Sequence, residues 1–215
     1  MLPCGQPPAV EYIFIMESEN KSPSLKWLGR GLGAAGLFIL ELIKVAVLAG
    51  ITIALVRYYL FKPFYVKGAS MEPNFHDHEY LIIDELSYRF RPIERGEVIV
   101  FKNPNNPKEY FLKRIIGLPG ERVKVAEGQV TVYNEAHPEG TELHEIYLPK
   151  DLLTVGEKVT VLKDNQYFVL GDNRDNSYDS RRFGSIDRSL IVGRTWFRGW
   201  PLSRMQVFKV PVFNF

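Results

Sequence analysis

The chain has 215 residues, 46% of them apolar, with 27 lysines and arginines against 25 acidic residues for a net charge of +2. That length supports a sizeable core with room for a small subdomain, and a balanced charge with no basic stripe argues against nucleic acid as a partner. Cys4 is the one cysteine, so no disulfide can form within the chain, and His76, His78, His137 and His144 show no metal-ligand spacing, so no metal is expected.

Residues 1–30 carry no sustained periodicity. Tyr12-Ile13-Phe14-Ile15 is too brief to span a bilayer, and Met16-Glu17-Ser18-Glu19 reads as a second start that would set residues 1–15 apart. Residues 17–30 are polar and are expected to be mobile. From Gly31 the composition turns apolar. Glu41 and Lys44 interrupt as i,i+3 partners, residues 45–56 carry no charge, and Arg57 is followed by Tyr58 and Tyr59. A helix over residues 45–61 would rise roughly 25 Å, and one further turn closes the gap to a hydrocarbon core of about 30 Å. A transmembrane helix over residues 35–61 is therefore expected, with Arg57 snorkelling to an interface beside the tyrosines. A buried or amphipathic soluble helix is the competing reading; a cleavable signal peptide fits less well, since the apolar region is long and lies far inside the chain. Lys21, Lys26 and Arg30 before the span and Arg57, Lys62 and Lys67 after it leave orientation undecided by charge.

After Pro63 the pattern is β. Residues 80–83, 98–101, 110–116, 122–125, 130–133, 158–162 and 167–170 are short runs rich in β-branched and aromatic side chains. Arg95-Gly96, Asn103-Pro104-Asn105-Asn106-Pro107, Leu118-Pro119-Gly120 and Glu127-Gly128 supply turns between them. Residues 134–154 are less regular and read as an insertion.

Three segments could carry chemistry. Ser70 sits in Gly68-Ala69-Ser70-Met71-Glu72-Pro73; taken alone it reads equally as a turn or cap residue. Lys113 lies in the apolar run from Tyr110 to Gly120. On a strand it shares a face with Phe111 and Ile115, while Arg114 shares the other with Leu112 and Ile116. On an edge strand the lysine stem would pack while its ammonium reached water. On an internal strand, arginine would need an anionic partner, whereas lysine could become neutral and serve as a base for a serine. The third segment, Gly171-Asp172-Asn173-Arg174-Asp175-Asn176-Ser177-Tyr178-Asp179-Ser180-Arg181-Arg182-Phe183-Gly184, has the density of Asx, Ser and Arg of a tightly hydrogen-bonded loop. Calcium ligation by Asp172, Asp175 and Asp179 is the rival reading, against which Arg174, Arg181 and Arg182 compete for the same carboxylates.

In this order after an apolar span, the segments resemble bacterial type I signal peptidases. Ser70-Met71-Glu72-Pro73 is similar to that family's nucleophile box and Arg95-Gly96-Glu97-Val98-Ile99-Val100-Phe101 to its next strand. Lys113-Arg114-Ile115-Ile116-Gly117-Leu118-Pro119-Gly120 is similar to its lysine box, residues 171–181 to its acidic box, and Trp200-Pro201-Leu202 to its usual ending. The resemblance covers roughly residues 35–205. It implies a mainly β fold of signal-peptidase/LexA-like type: a cytoplasmic segment (residues 1–34), one transmembrane helix (35–61) and an extracytoplasmic catalytic domain (62–215) with a small inserted β subdomain at about 126–166. It further implies Ser70 as nucleophile, Lys113 as general base, Ser177 orienting the lysine amine, and Asp172, Asp179 and Arg181 holding the scaffold by ion pairs. The Ser70 backbone N–H would donate to the oxyanion, and Met71 would line the substrate site. Some relatives carry a serine at the position of Gly68 as a second oxyanion donor, which is lacking here. The implied activity is cleavage of signal peptides after small residues in an Ala-x-Ala-like pattern, by a membrane-embedded monomer with no cofactor, whose partners are precursor proteins and membrane lipid. A self-cleaving repressor shares the dyad logic but would carry a DNA-binding helix pair where residues 1–66 show a span. A membrane-anchored β module without chemistry is the other alternative.

Overall fold

The computed structural model describes residues 24–59 and 61–213, and the chain divides into two units, Met1–Ile51 and Thr52–Phe215. Helix α1 runs from Ser24 to Tyr59. Its segment Gly36–Leu55 is 20 residues long, apolar enough to cross a membrane, and not buried. Glu41 and Lys44 pair along it at 2.9 Å. The helix begins well before residue 35 because residues 24–35 contain no proline and an established helix extends at little cost. It stops at Tyr59 rather than at residue 61, because a strand takes over at Phe61 and Pro63 disfavours helical backbone before it. The expectations for residues 1–23 and for the Arg57 side chain lie outside the described residues.

The rest is two antiparallel sheets. Eight strands form the larger: β1 (Phe61–Tyr65), β2 (Tyr80–Asp84), β3 (Val98–Asn103) and β4 (Asn106–Gly117), then, past the strands of the smaller sheet, β9 (Gln166–Leu170), β10 (Ile186–Asp187), β11 (Ile191–Trp200) and β12 (Gln206–Val207). Their order is β1-β2-β11-β3-β4-β9-β10, with β12 paired to β11. The smaller sheet comprises β5 (Arg122–Ala126), β6 (Gln129–Tyr133), β7 (Thr141–Glu142) and β8 (Lys158–Val161), ordered β7-β6-β5-β8. It starts at Arg122, so β5 belongs to it.

All seven β runs seen in the sequence are strands. β1 and β11 escaped notice for identifiable reasons. β1 contains Pro63, tolerated because β1 ends the strand order with β2 as its one neighbour. β11 is broken by Gly193, Arg194, Arg198 and Gly199 and carries register shifts against both neighbours.

The larger sheet is covered on both faces, which explains the continuous apolar run in β3. Ile99 and Phe101 enter one core with Tyr88, Ile115, Val169 and Ile186, while Val98 and Val100 enter another with Met71, Phe75, Leu81 and Ile83. The smaller sheet alternates instead: Val123, Val125, Val130 and Val132 turn inward onto Ile116, Phe168 and Leu170, and Arg122 and Lys124 face solvent. Successive side chains of β4 point to opposite faces, so Ile115 enters one core and Ile116 the next.

Candidate active site

Strand β4 lies between β3 and β9 where it carries Lys113, with Lys113 opposite Ile99 and Arg114 opposite both Val98 and Leu170. The strand is internal there, which removes the edge-strand reading. Lys113 is 3% exposed and Arg114 6%, so neither cation reaches bulk water and each needs an answer to its burial.

Arg114 finds an anion. Its Nε and one terminal nitrogen fork onto the two Asp172 oxygens at 2.8 and 2.6 Å, and the other terminal nitrogen donates to the Gly96 carbonyl at 2.8 Å. Desolvation is the largest single influence on the guanidinium, but the attraction of Asp172, its hydrogen bonds and the nearby Tyr147 and Glu145 together outweigh it and hold Arg114 charged. Lys113 has no such partner. Its Nζ lies 2.7 Å from Ser70 Oγ and donates to the Leu112 carbonyl at 3.0 Å. Burial lowers its pKa to about 8, against the opposing pull of Asp179 and Asp172. Asp172 reaches it as a carboxylate already neutralised by Arg114, and Asp179 as one neutralised by Arg181 at 2.9 Å. The dyad pairs a hydroxyl with an amine that gives up its proton near pH 8 rather than near the 10.5 of an ordinary lysine.

Ser70 opens a turn whose buried side chains fix it. Met71 and Phe75, each 1% exposed, sit one helical turn apart in the core, and Phe75 N–H donates to the Met71 carbonyl at 2.9 Å. The 171–184 loop clamps the turn from outside: Asn173 N–H donates to the Ser70 carbonyl at 3.1 Å and its side-chain amide to the Ala69 carbonyl at 3.0 Å. The clamp needs Gly171, where a Cβ would lie 2.5 Å from the Ser70 carbonyl oxygen and 2.2 Å from Ser177 Oγ. Gly68 has φ +91°, suited to glycine, and its N–H donates to Asp77 Oδ1 at 3.0 Å. That N–H is therefore already engaged.

Asp179 caps the short helix α2 (Ser180–Phe183), accepting from Arg181 N–H, and also accepts from Gly171 N–H at 3.1 Å. Burial alone would raise its carboxyl; Arg181, the Gly171 N–H and Ser177 more than offset this and leave it below the usual range. Ser177 departs from its expected part. Its Oγ is buried without a partner of normal hydrogen-bond geometry, so it makes no bond to the lysine amine, although it stands close enough to Asp179 to help keep that carboxyl low. Met71 is buried, with Asp172 N–H donating to its sulfur at 3.4 Å, and still forms part of the wall of the cavity beside Ser70. Beside the dyad is a cavity of about 180 Å³, whose walls include Phe64, Val66, Met71, Leu81, Tyr110 and Leu112, with Ser70 and Lys113 at its edge. Its apolar walls suit small uncharged side chains.

Several participants were not singled out from the sequence. Arg114 was flagged only as a cation in need of an anion. Asn74 donates to Asp172 Oδ2 and to the Tyr147 carbonyl, both at 2.9 Å. Arg174 binds Glu145 and Thr154. The loop's dense arginines signalled Arg174, but nothing in the irregular stretch 134–154 signalled Glu145 or Tyr147.

Comparison with known proteins identifies the family. The profile of the family described as signal peptidase, peptidase S26 matches residues 39–200. A probable signal peptidase I-2 of Synechocystis sp. is 41% identical over 172 residues, covering 77% of this chain and 75% of that protein. A signal peptidase IB of Staphylococcus aureus is 34% identical over 179 residues, covering 78% and 93%. A crystal structure of a signal peptidase I from Enterococcus faecalis, 28% identical, superposes with a TM-score of 0.41 over 48% of this chain and 97% of that one.

Proposed function

Because the chain belongs to the signal peptidase family, peptidase S26, we propose that it is a membrane-anchored serine endopeptidase that removes signal peptides from exported precursors, with Ser70 as nucleophile and Lys113 as general base. The observation that carries this reading is a single one: a buried amine with its pKa lowered to about 8, placed 2.7 Å from a serine hydroxyl. Neutral Lys113 takes the Ser70 proton as Oγ bonds to the scissile carbonyl carbon. The tetrahedral oxyanion accepts a hydrogen bond from the Ser70 backbone N–H. The C–N bond breaks, the amine leaves with the proton from Lys113, and water, deprotonated by the same lysine, hydrolyses the ester and restores the hydroxyl.

The apolar walls of the cavity support a preference for small residues ahead of the cut, in an Ala-x-Ala-like pattern, with the substrate laid as an extended strand. The exposed apolar segment of α1 supports anchoring in the membrane, where the apolar part of a signal peptide would also reside. We place the catalytic domain on the extracytoplasmic side and take the monomer as the working form. In the detergent-solubilised full chain, Ser70→Ala and Lys113→Ala should each lose processing of a precursor by at least about a thousandfold while keeping the circular dichroism of the parent. Retained cleavage in either would remove the assignment.

A further inference from the structure

The segment Glu145-Ile146-Tyr147 follows β7 in the irregular part of the insertion and reaches the catalytic scaffold at three points. The Tyr147 ring covers the Arg114 guanidinium, with Cζ 3.8 Å from the ring centroid. The Tyr147 carbonyl accepts from the Asn74 amide, which also donates to Asp172 and so ties the segment to the turn that opens on Ser70. Glu145 binds Arg174 of the 171–184 loop, with one Nη–Oε2 contact at 2.6 Å, and accepts the Tyr147 hydroxyl proton as well. Phe213 packs edge-on against the tyrosine ring at 6.2 Å.

Arg114 thus has one bond from each of its three nitrogens to Asp172 or Gly96 and one face against an aromatic ring. A guanidinium fixed in plane and covered on a face has little rotational freedom left. Its position sets that of Asp172, one of the two carboxylates acting on the lysine amine.

We propose that Tyr147 is a positioning residue for the Ser70–Lys113 reaction: its ring holds Arg114 on Asp172, so that the inserted subdomain completes the back of the active site. This rests on the function proposed above. When the ring is removed, Arg114 loosens and Asp172 acts on Lys113 as a less compensated anion. The charged groups bearing on the amine are Asp172, neutralised by Arg114, and Asp179, neutralised by Arg181. An uncompensated anion favours the ammonium form, so the base would titrate at higher pH.

The test uses the full chain in detergent with a precursor substrate and compares Tyr147→Leu, Tyr147→Ala and Tyr147→Phe. Leucine and alanine should lower kcat about tenfold, less than the roughly hundredfold that a 1 Å misplacement can cost. KM should change little, and the acid limb of the pH–kcat/KM profile should move to higher pH. Phenylalanine keeps the ring and should restore both values. The proposal is overturned if folded Tyr147→Leu shows parental kcat and pH profile, or if Tyr147→Phe falls as far as leucine. It is equally overturned if neither leucine nor alanine folds, which would make the residue structural. Ser70→Ala is run alongside: cleavage by that variant sinks the function itself, whereas an inactive Ser70→Ala beside a parental Tyr147→Leu sinks this inference alone.

Discussion

At the scale of one residue, the protein holds an amine where water would not leave it neutral. Lys113 therefore opposes folding, and in the proposed mechanism the same burial is what makes it a base. With its pKa lowered to about 8 from the ordinary lysine value of 10.5, the unfolded chain binds the proton more tightly than the native one between those pH values. The destabilisation is complete below about pH 8, amounts to about 3 kcal/mol, and fades as pH rises towards 10.5. Lys113→Met should consequently be inactive yet more stable at pH 7, with the gain in Tm shrinking as the scan pH is raised towards 10.5. A variant less stable than the parent at neutral pH would contradict the buried-base picture. In the active protein the same group should give kcat/KM an acid limb near pH 8, since the base must be neutral to act.

At the scale of elements, β4 sets two neighbouring cations in opposite electrostatic surroundings. Arg114 is answered by Asp172, and the pair is buried on both sides, with side chains 7% and 0% exposed. Removing one partner of such a pair leaves a stranded charge, at a cost of about 3–5 kcal/mol. Asp172→Ala should show that loss in urea unfolding, while Asp175→Ala, in the same loop but exposed, should stay within about 0.5 kcal/mol of the parent. Much of this was legible beforehand. The runs of β-branched residues marked β2, β3, β4, β5, β6, β8 and β9, and the adjacent Lys113 and Arg114 already posed the question that Ser70 and Asp172 answer. What stayed hidden was whatever depends on partners distant in sequence. β11 is written in glycines and arginines because its pairing tolerates bulges and its charges are met by Asp84 and Glu79 across the sheet. Tyr147 looked like any loop tyrosine until the fold set Arg114 beneath it.

At the scale of the whole molecule, the proposed function joins the span to the dyad: an enzyme so anchored would meet its substrate where the substrate's apolar segment is embedded. The exposed apolar stretch Gly36–Leu55 carries that confinement. Replacing Val47 and Ile51 together by arginine adds about 2.5–3.5 kcal/mol per charge at the centre of a bilayer. The doubly substituted chain should move from the membrane pellet to the soluble fraction, as read by carbonate extraction. Persistence in the pellet would mean that this helix is not the anchor.

The strand order links distant parts of the chain. β11 lies between β2 and β3, so the strands flanking the Ser70 turn and the strand carrying Lys113 belong to one ladder only through residues 191–200. A segment far from both residues in sequence thus joins the two halves of the sheet, and loosening its pairing would be felt at the serine–lysine contact without touching either side chain.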